Sequence, residues 1–313
     1  LTSLLGGEIT VGAFAAVFGS ISLMFGIMNE AFSHMGEMAK NYGAAQNFVR
    51  FMELPERGGV KMAADNSRGI VMENVSFTYP GAAAKSIDGV SLTIQPGEMI
   101  AIVGENGAGK STLVRLLTGM YKPTEGRVIA RGLDTAAADG PSLFSGLTGV
   151  FQKYQRYLMT LGENVTISQP GSGEPADRAL ADAGVEVAPD TFPDGLDTML
   201  SREFDGVDLS GGQWQRIAIG RGLYRAHDLV VLDEPTAAID PIEESRIYKQ
   251  FMNLSKGKTA IIVTHRLGSV KEADKVVVMD KGKIIAAAPH AQLMASCEKY
   301  RDMYNAQAKW YEN

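Results

Sequence analysis

Nine consecutive residues, Gly104-Glu105-Asn106-Gly107-Ala108-Gly109-Lys110-Ser111-Thr112, hold three glycines, a lysine and two hydroxyl side chains, directly after the apolar run "MIAIV". Glycines at this spacing let successive backbone N–H groups turn inward on a phosphate, at the N-terminus of a helix expected to start near Lys110. The Lys110 ammonium is placed to reach the β and γ phosphates, and the Ser111 hydroxyl to meet Mg²⁺. The loop predicts a nucleoside triphosphate and leaves its use open, since kinases, GTPases, helicases, motors and transporters all carry one.

Two further stretches narrow the chemistry. In "LVVLDEP", Asp233 ends an apolar run where a carboxylate can hold Mg²⁺, and Glu234 beside it can polarise the water that attacks a γ phosphate. In "DLSGGQWQR", Ser210-Gly211-Gly212-Gln213 is a second glycine-rich segment that opens a helix and can bind phosphate through backbone N–H groups and the Ser210 hydroxyl. One chain has no use for two γ-phosphate cradles at a single nucleotide. Two copies arranged head to tail do.

The surrounding pattern says what positions these residues. Between Glu8 and Glu30 no charged residue occurs, and about 21 residues of helix at ~1.5 Å each would span about 31 Å, the thickness of a bilayer's hydrocarbon core. Gly12, Gly19 and Gly26 recur at heptad spacing and share one face of that helix, as suits close packing between membrane helices. The helical pattern continues, now with charges, to Pro55. We therefore expect a membrane helix and its cytoplasmic extension over 1–55, a linker over 56–69 and a nucleotide-binding domain over 70–313. In that domain "IVMENVSFTY" and "VSLTIQPGEMIAIVG" read as strands, as do "EGRVIARGLD", "DLVVLDEP" and "TAIIVTH". "RIYKQFMNLSKG" reads as a helix, "DKVVVMDKGKIIAAA" as a hairpin turning at Lys281-Gly282, and residues 177–224 as mainly helical. Alternating strands and helices predict an α/β core.

Composition excludes some classes. A net charge of −6 with no basic run argues against nucleic acid as the main partner. Cys297 is the single cysteine, so an internal disulfide framework and a cysteine-based metal site are excluded, and the nucleotide-binding part reads as cytoplasmic. No basic segment precedes the apolar run, as a signal peptide would require, and a chain opening on Leu1 reads as part of a longer protein.

From Ile70 to about Ala287 the chain resembles the nucleotide-binding domain of ATP-binding cassette (ABC) proteins, whose signature is the Leu-Ser-Gly-Gly-Gln of residues 209–213. The resemblance implies a P-loop NTPase (RecA-like) core with an antiparallel β subdomain and an α-helical subdomain, loaded with ATP and Mg²⁺. It implies that Tyr79 in "FTYP" stacks on adenine, that Gln152 in "VFQK" contacts Mg²⁺ and senses the membrane domain, and that His265 in "IVTHR" contacts the γ phosphate. Asp240 in "PTAAIDP" matches the loop that crosses to the partner's nucleotide. Two departures stand out: Ala237-Ala238-Ile239-Asp240 replaces the usual Ser-Ala-Leu-Asp, and Trp214 follows the signature where a polar residue is more common. His34, His227 and His290 match nothing and are expected to be structural.

"GGEITVGAFAA", "NFVRFMELPE" and "FQKYQRYLMTLGENV" resemble, in turn, the start and end of an exporter's last membrane helix and the segment that receives its coupling helices. The implied protein is a half-size exporter in the cell membrane, ATPase on the cytoplasmic side, dimerising with itself or a paralogous half transporter. The alternative is a soluble ABC-family ATPase acting on nucleic acid or ribosomes, and a P-loop kinase is a distant third. The transported substrate is not written in these residues.

Overall fold

The structure is a computed structural model describing residues 6–7, 10–54, 58–61, 63, 65, 67–151, 153–233, 248, 251–252, 255, 257–264 and 269–311. It divides into two units, Leu1–Arg57 and Gly58–Asn313.

The first unit is one 42-residue helix, α1 (Val11–Met52), with no buried residue. Thr10 caps it, its hydroxyl accepting from the Ala13 N–H at 3.2 Å. Ahead of Pro55 the α conformation is disfavoured, which suits an end at Met52. The helix is long and apolar enough to cross a membrane. A Cβ built at Gly19 or Gly26 meets nothing within 4 Å, so nothing among the described residues requires glycine there.

The second unit holds two sheets. Strands β1 (Ile70–Phe77), β2 (Ile87–Ile94), β4 (Glu125–Ala130) and β5 (Leu133–Asp134) form an antiparallel sheet in the order β2-β1-β4-β5. Strands β3 (Met99–Gly104), β6 (Leu147–Phe151), β7 (Leu229–Asp233), β8 (Thr259–Val263), β9 (Lys275–Asp280) and β10 (Lys283–Ala288) form the second, in the order β10-β9-β3-β8-β7-β6. All its pairings are parallel except β9–β10, whose turn at Lys281 (φ 46°) and Gly282 (φ 78°) is the expected hairpin. Every residue of β7 is buried, and its run from Leu229 to Leu232 is apolar throughout, as suits a strand covered on both faces.

Helices cover both faces of this sheet. On one side α2 (Lys110–Leu117) packs with Ile100 and Ile102 of β3 into the main core. On the other, α7 (His290–Ser296) and α8 (Glu298–Tyr311) bring Leu293 and Tyr300 against Ala101, Val103, Val276 and Val278. The short helix α3 (Gly140–Phe144) precedes β6. A separate cluster joins α4 (Leu161–Thr166), α5 (Asp177–Asp182) and α6 (Gly211–Tyr224) around Leu180, Phe192, Trp214 and Ile217. This is the helical subdomain, and Trp214 is 4% exposed at its centre, which explains an apolar ring at that position.

Two expectations need correction. Residues 177–224 are helical only in α5 and α6; between them lie two single turns, Gly195–Asp197 and Arg202–Phe204. Pro189 and Pro193 lack the N–H that a helix interior needs, and Gly184 and Gly195 take φ of 73° and 58°. The segment "EGRVIARGLD" is two strands, because Arg131 (φ 51°) and Gly132 (φ 77°) turn the chain between β4 and β5. The Arg131 guanidinium secures that turn by donating to the carbonyls of Leu143 and Ser145. The helix expected at "RIYKQFMNLSKG" lies largely outside the described residues.

Described residues of the expected linker are tied down. Val60 pairs in parallel with Ala138, its N–H donating to the Ala137 carbonyl at 2.9 Å while its own carbonyl accepts from Asp139 at 3.1 Å. Asp65 donates to the Arg131 carbonyl and Arg131 to that of Gly69, both at 2.9 Å. A Cβ on Gly59 would sit 2.5 Å from the Ala138 carbonyl carbon. Gly59→Val should therefore cost about 1–3 kcal/mol, an overpacking penalty, and lower Tm by several degrees, on the order of 2–4 °C per kcal/mol. Thermal unfolding checks this; an unchanged Tm would mean that the strap is not docked in solution.

Candidate nucleotide-binding site

Strand β3 delivers the loop to the end of the sheet, and its three glycines are needed for different reasons. A Cβ on Gly104 would lie 2.5 Å from the Met279 carbonyl oxygen, and one on Gly109 (φ 99°) 2.8 Å from that of Ser86. Gly107 has open space around it but a φ of 81°, so its requirement is conformational. Gly109 is the N-cap of α2 and supplies no side-chain cap, which leaves the first helical N–H groups to an anion. Lys110 is buried, and its ammonium donates to the carbonyls of Gly104 (2.9 Å) and Glu105 (3.2 Å).

The Ser111 hydroxyl donates to Asp233 Oδ1 at 3.4 Å, joining positions 122 residues apart. Asp233 is buried at the end of β7, a strand whose apolar residues place it inside the sheet, between β8 and β6. A hydroxyl and a carboxylate form a hard, all-oxygen pair of the kind that Mg²⁺ prefers, so the residues present fit that ion. A cavity of 580 Å³ adjoins the loop, lined by Tyr79, Asn106, Gly107 and Gly109 to Thr112. Ala108 is buried beneath the loop, and Glu105 is turned to Lys299, 3.3 Å away. The remaining wall includes Ser86, Lys281 and Gly282, which the sequence did not mark.

Tyr79 is fixed on three sides. Its ring stands edge-on to Phe77 (5.1 Å) and Tyr121 (5.8 Å), and its hydroxyl is 3.0 Å from the Thr112 hydroxyl and accepts from Arg115 at 3.3 Å. Thr112, expected to contact nucleotide, thus also bonds the aromatic platform. Arg115, one helical turn from Ser111, is a support that carried no recognisable motif.

The Ser210–Gln213 segment does not line this cavity. It opens α6 through a reciprocal cap: the Ser210 hydroxyl accepts from the Gln213 N–H (3.3 Å) and Gln213 Oε1 from the Ser210 N–H (2.8 Å). The Tyr154 hydroxyl donates to the Gly211 carbonyl at 2.8 Å. A Cβ at Gly211 or Gly212 meets nothing within 4 Å and neither has a positive φ, so nothing described in this chain demands glycine there. Further along α6, Arg221 donates to Asn164 O (2.8 Å) and Gln155 O (3.1 Å) and lies 4.6 Å over the Tyr157 ring, tying α6 to the stretch after residue 152.

Gln152, Glu234, Asp240 and His265 lie outside the described residues, as do Ala237 to Ile239. Their strands do not. Phe151, Asp233 and Val263, the last residues of β6, β7 and β8, are aligned in register across the sheet. Gln152 and Glu234 directly follow the first two, and His265 comes two residues after the third.

Of the histidines expected to be structural, His227 sits 2.9 Å from the Lys258 ammonium, and His290 is hydrogen-bonded to the Tyr300 hydroxyl at 2.8 Å. Burial lowers the His227 pKa, favouring the neutral ring.

Comparison with known proteins places this geometry among relatives. Residues 87–237 match the family model described as ABC transporter. The chain is 35% identical over 317 residues to the subtilin transport ATP-binding protein SpaT of Bacillus subtilis, across 97% of this chain and 50% of that protein. It is 31% identical over 307 residues to the ATP-dependent lipid A-core flippase of Haemophilus ducreyi, across 96% of this chain and 52% of the flippase. Among solved structures, a bacterial Atm1-family ABC exporter with ATP bound superposes with a TM-score of 0.74 at 31% identity, covering 85% of this chain and 46% of that one. The chain spans about half the length of the curated relatives it matches.

Proposed function

The chain belongs to the ABC transporter family, and on that premise we propose that it is part of a half-size exporter, a last membrane helix (1–55) joined through 56–69 to an ATPase (70–313). The observation that carries the ATPase reading is that Ser111, which lines the cavity beside Lys110, meets Asp233 at the end of β7. Two copies, or this chain and a paralogous half transporter, clasp ATP between the loop of one and the signature of the other. The open space above Gly211 and Gly212 supports this, because it leaves their backbone to be approached by a second body.

Each residue then has a task. Tyr79 stacks on adenine. The backbone from Gly104 to Thr112 wraps the phosphates, with Lys110 on the β and γ groups. Ser111, Asp233 and Gln152 hold Mg²⁺, which when bound neutralises charge on the phosphate oxygens. Glu234 orients and deprotonates the attacking water, His265 contacts the γ phosphate, and Asp240 crosses to the other copy. Ser210 keeps its side chain for the helix cap and offers the phosphate the N–H groups behind it. Closure on ATP and opening after hydrolysis drive alternating access in the membrane, with the ATPase on its cytoplasmic side.

The test mixes two inactive chains. Gly211→Asp fits its own fold, since the first helical position tolerates a carboxylate, but sets a negative charge against the partner's phosphates. Mixed with Lys110→Ala it forms dimers in which one site carries both defects and the other carries neither. Phosphate release should return to roughly a quarter of wild type, by random pairing, although each variant alone is inactive. Absence of rescue, with specific activity independent of protein concentration, would rule out the shared site.

A further inference from the structure

The phosphate-binding loop carries a carboxylate of its own, Glu105, directly after Gly104. A carboxylate in a loop that must hold a triphosphate repels its ligand unless a cation screens it. That cation comes from the far end of the chain. Lys299, in the first turn of α8, holds Glu105 Oε1 at 3.3 Å and Asp280 Oδ1 at 2.8 Å. Hydrogen bonding to Asp280, ahead of that to Glu105, raises the Lys299 pKa and keeps the ammonium charged.

Lys299 is held in place from below. Its neighbour Tyr300 is fully buried against the sheet and hydrogen-bonded to His290, so the start of α8 cannot swing away without opening a core. Asp280 is equally placed: it ends β9 and leads into the Lys281-Gly282 turn that walls the cavity. That turn touches the loop a second time, the Gly282 N–H donating to the Ala108 carbonyl at 3.0 Å. The loop is therefore braced by the C-terminal segment at Gly104, at Glu105 and at Ala108.

We propose that Lys299 is a positioning residue for nucleotide binding: it neutralises Glu105, draws its carboxylate away from the triphosphate, and couples the loop to the C-terminal helix pair. This rests on the loop being the ATP site. Lys299 touches no reacting atom, so it acts on affinity and not on the chemical step.

The experiment measures ATP binding by calorimetry to the full chain in detergent, in EDTA so that no turnover occurs, with Lys110→Ala as the control that identifies the site. Lys299→Met should raise the Kd roughly two- to fivefold, the range for a partly exposed ion pair. Lys299→Arg should bind as wild type, and in a Glu105→Gln background Lys299→Met should leave the Kd unchanged. With Mg²⁺ restored, KM should rise for Lys299→Met while kcat at saturating ATP holds. A merely structural lysine would lower Tm equally in both backgrounds and spare the Kd. An unchanged Kd in Lys299→Met, or the same rise with and without Glu105, overturns the inference; should Lys299→Met not fold, Lys299→Gln enters the same cycle under the same criteria. If wild type and Lys110→Ala bind ATP equally, the nucleotide-site reading has failed instead.

Discussion

Glu234→Gln lowers steady-state ATP turnover by roughly 10²-fold or more, the range for loss of a positioned general base, and leaves ATP binding intact. Phosphoryl transfer depends chiefly on positioning and on charge, so an amide that keeps the shape of the carboxylate but not its charge removes the chemical step. Nothing in the described wall of the nucleotide cavity is altered: Tyr79, Lys110 and Ser111 keep their partners. The variant should collect as a dimer in ATP and Mg²⁺, because the ATP that holds two copies together is no longer cleaved. Size-exclusion chromatography beside a phosphate-release assay checks both halves. Wild-type turnover would remove Glu234 from its role; an inactive variant that stays monomeric would count against the two-copy arrangement.

Lys110→Ala acts on the opposite side of the cycle, weakening ATP binding by about 10²-fold, as expected when a buried, charge-assisted contact to phosphate is lost. Lys110 is 6% exposed, and its ammonium is already centred on the loop by the carbonyls of Gly104 and Glu105. Removing it takes a positive charge from the phosphates and leaves both carbonyls short of a donor. Lys110→Arg should rescue little, because a planar guanidinium does not fit a cage built around a compact ammonium. Titration with ATP separates the two: if Lys110→Arg binds within about threefold of wild type, charge alone suffices and the cage is irrelevant.

Local signals in the sequence carried a large part of this. The buried runs at 229–233 and 259–263 are short, apolar and β-branched, and such runs have few places to go but a parallel sheet. The phosphate loop was legible because its chemistry is contiguous. The pairing of Ser111 with Asp233 agrees with the expectation that both meet Mg²⁺: Asp233 ends β7, and Ser111 opens the helix that follows β3 of the same sheet. What stayed hidden depends on register between distant segments. No local pattern announces that Lys281-Gly282 walls the cavity, that Lys299 reaches Glu105, or that Thr112 bonds Tyr79. Arg131 was read as one more strand residue, whereas side-chain bonds to two remote carbonyls hold it in a left-handed turn. The stretch between α5 and α6 misled for a different reason: its apolar residues fill the helical subdomain's core without belonging to helices, as Phe192 and Leu200 do.

The order of strands around β3 has a consequence for how the protein is made. The strand that ends at Gly104 has as its two neighbours Thr259–Val263 and Lys275–Asp280, both encoded far downstream. A chain leaving the ribosome has completed its glycine-rich sequence long before either neighbour exists. At a synthesis rate of roughly 5–20 residues per second, the loop waits on the order of 10–30 s without the hydrogen bonds that shape it. Nucleotide cannot help an incomplete chain to fold during that interval, because the shape it recognises depends on Met279 and Gly282 as much as on Gly104 and Gly109. A nascent chain stalled before residue 275 would carry the whole loop sequence and hold no ATP, while the exposed β3 edge invites wrong pairings and chaperones. Binding competence arrives late, only once the segment from Lys275 to Gly282 has been made.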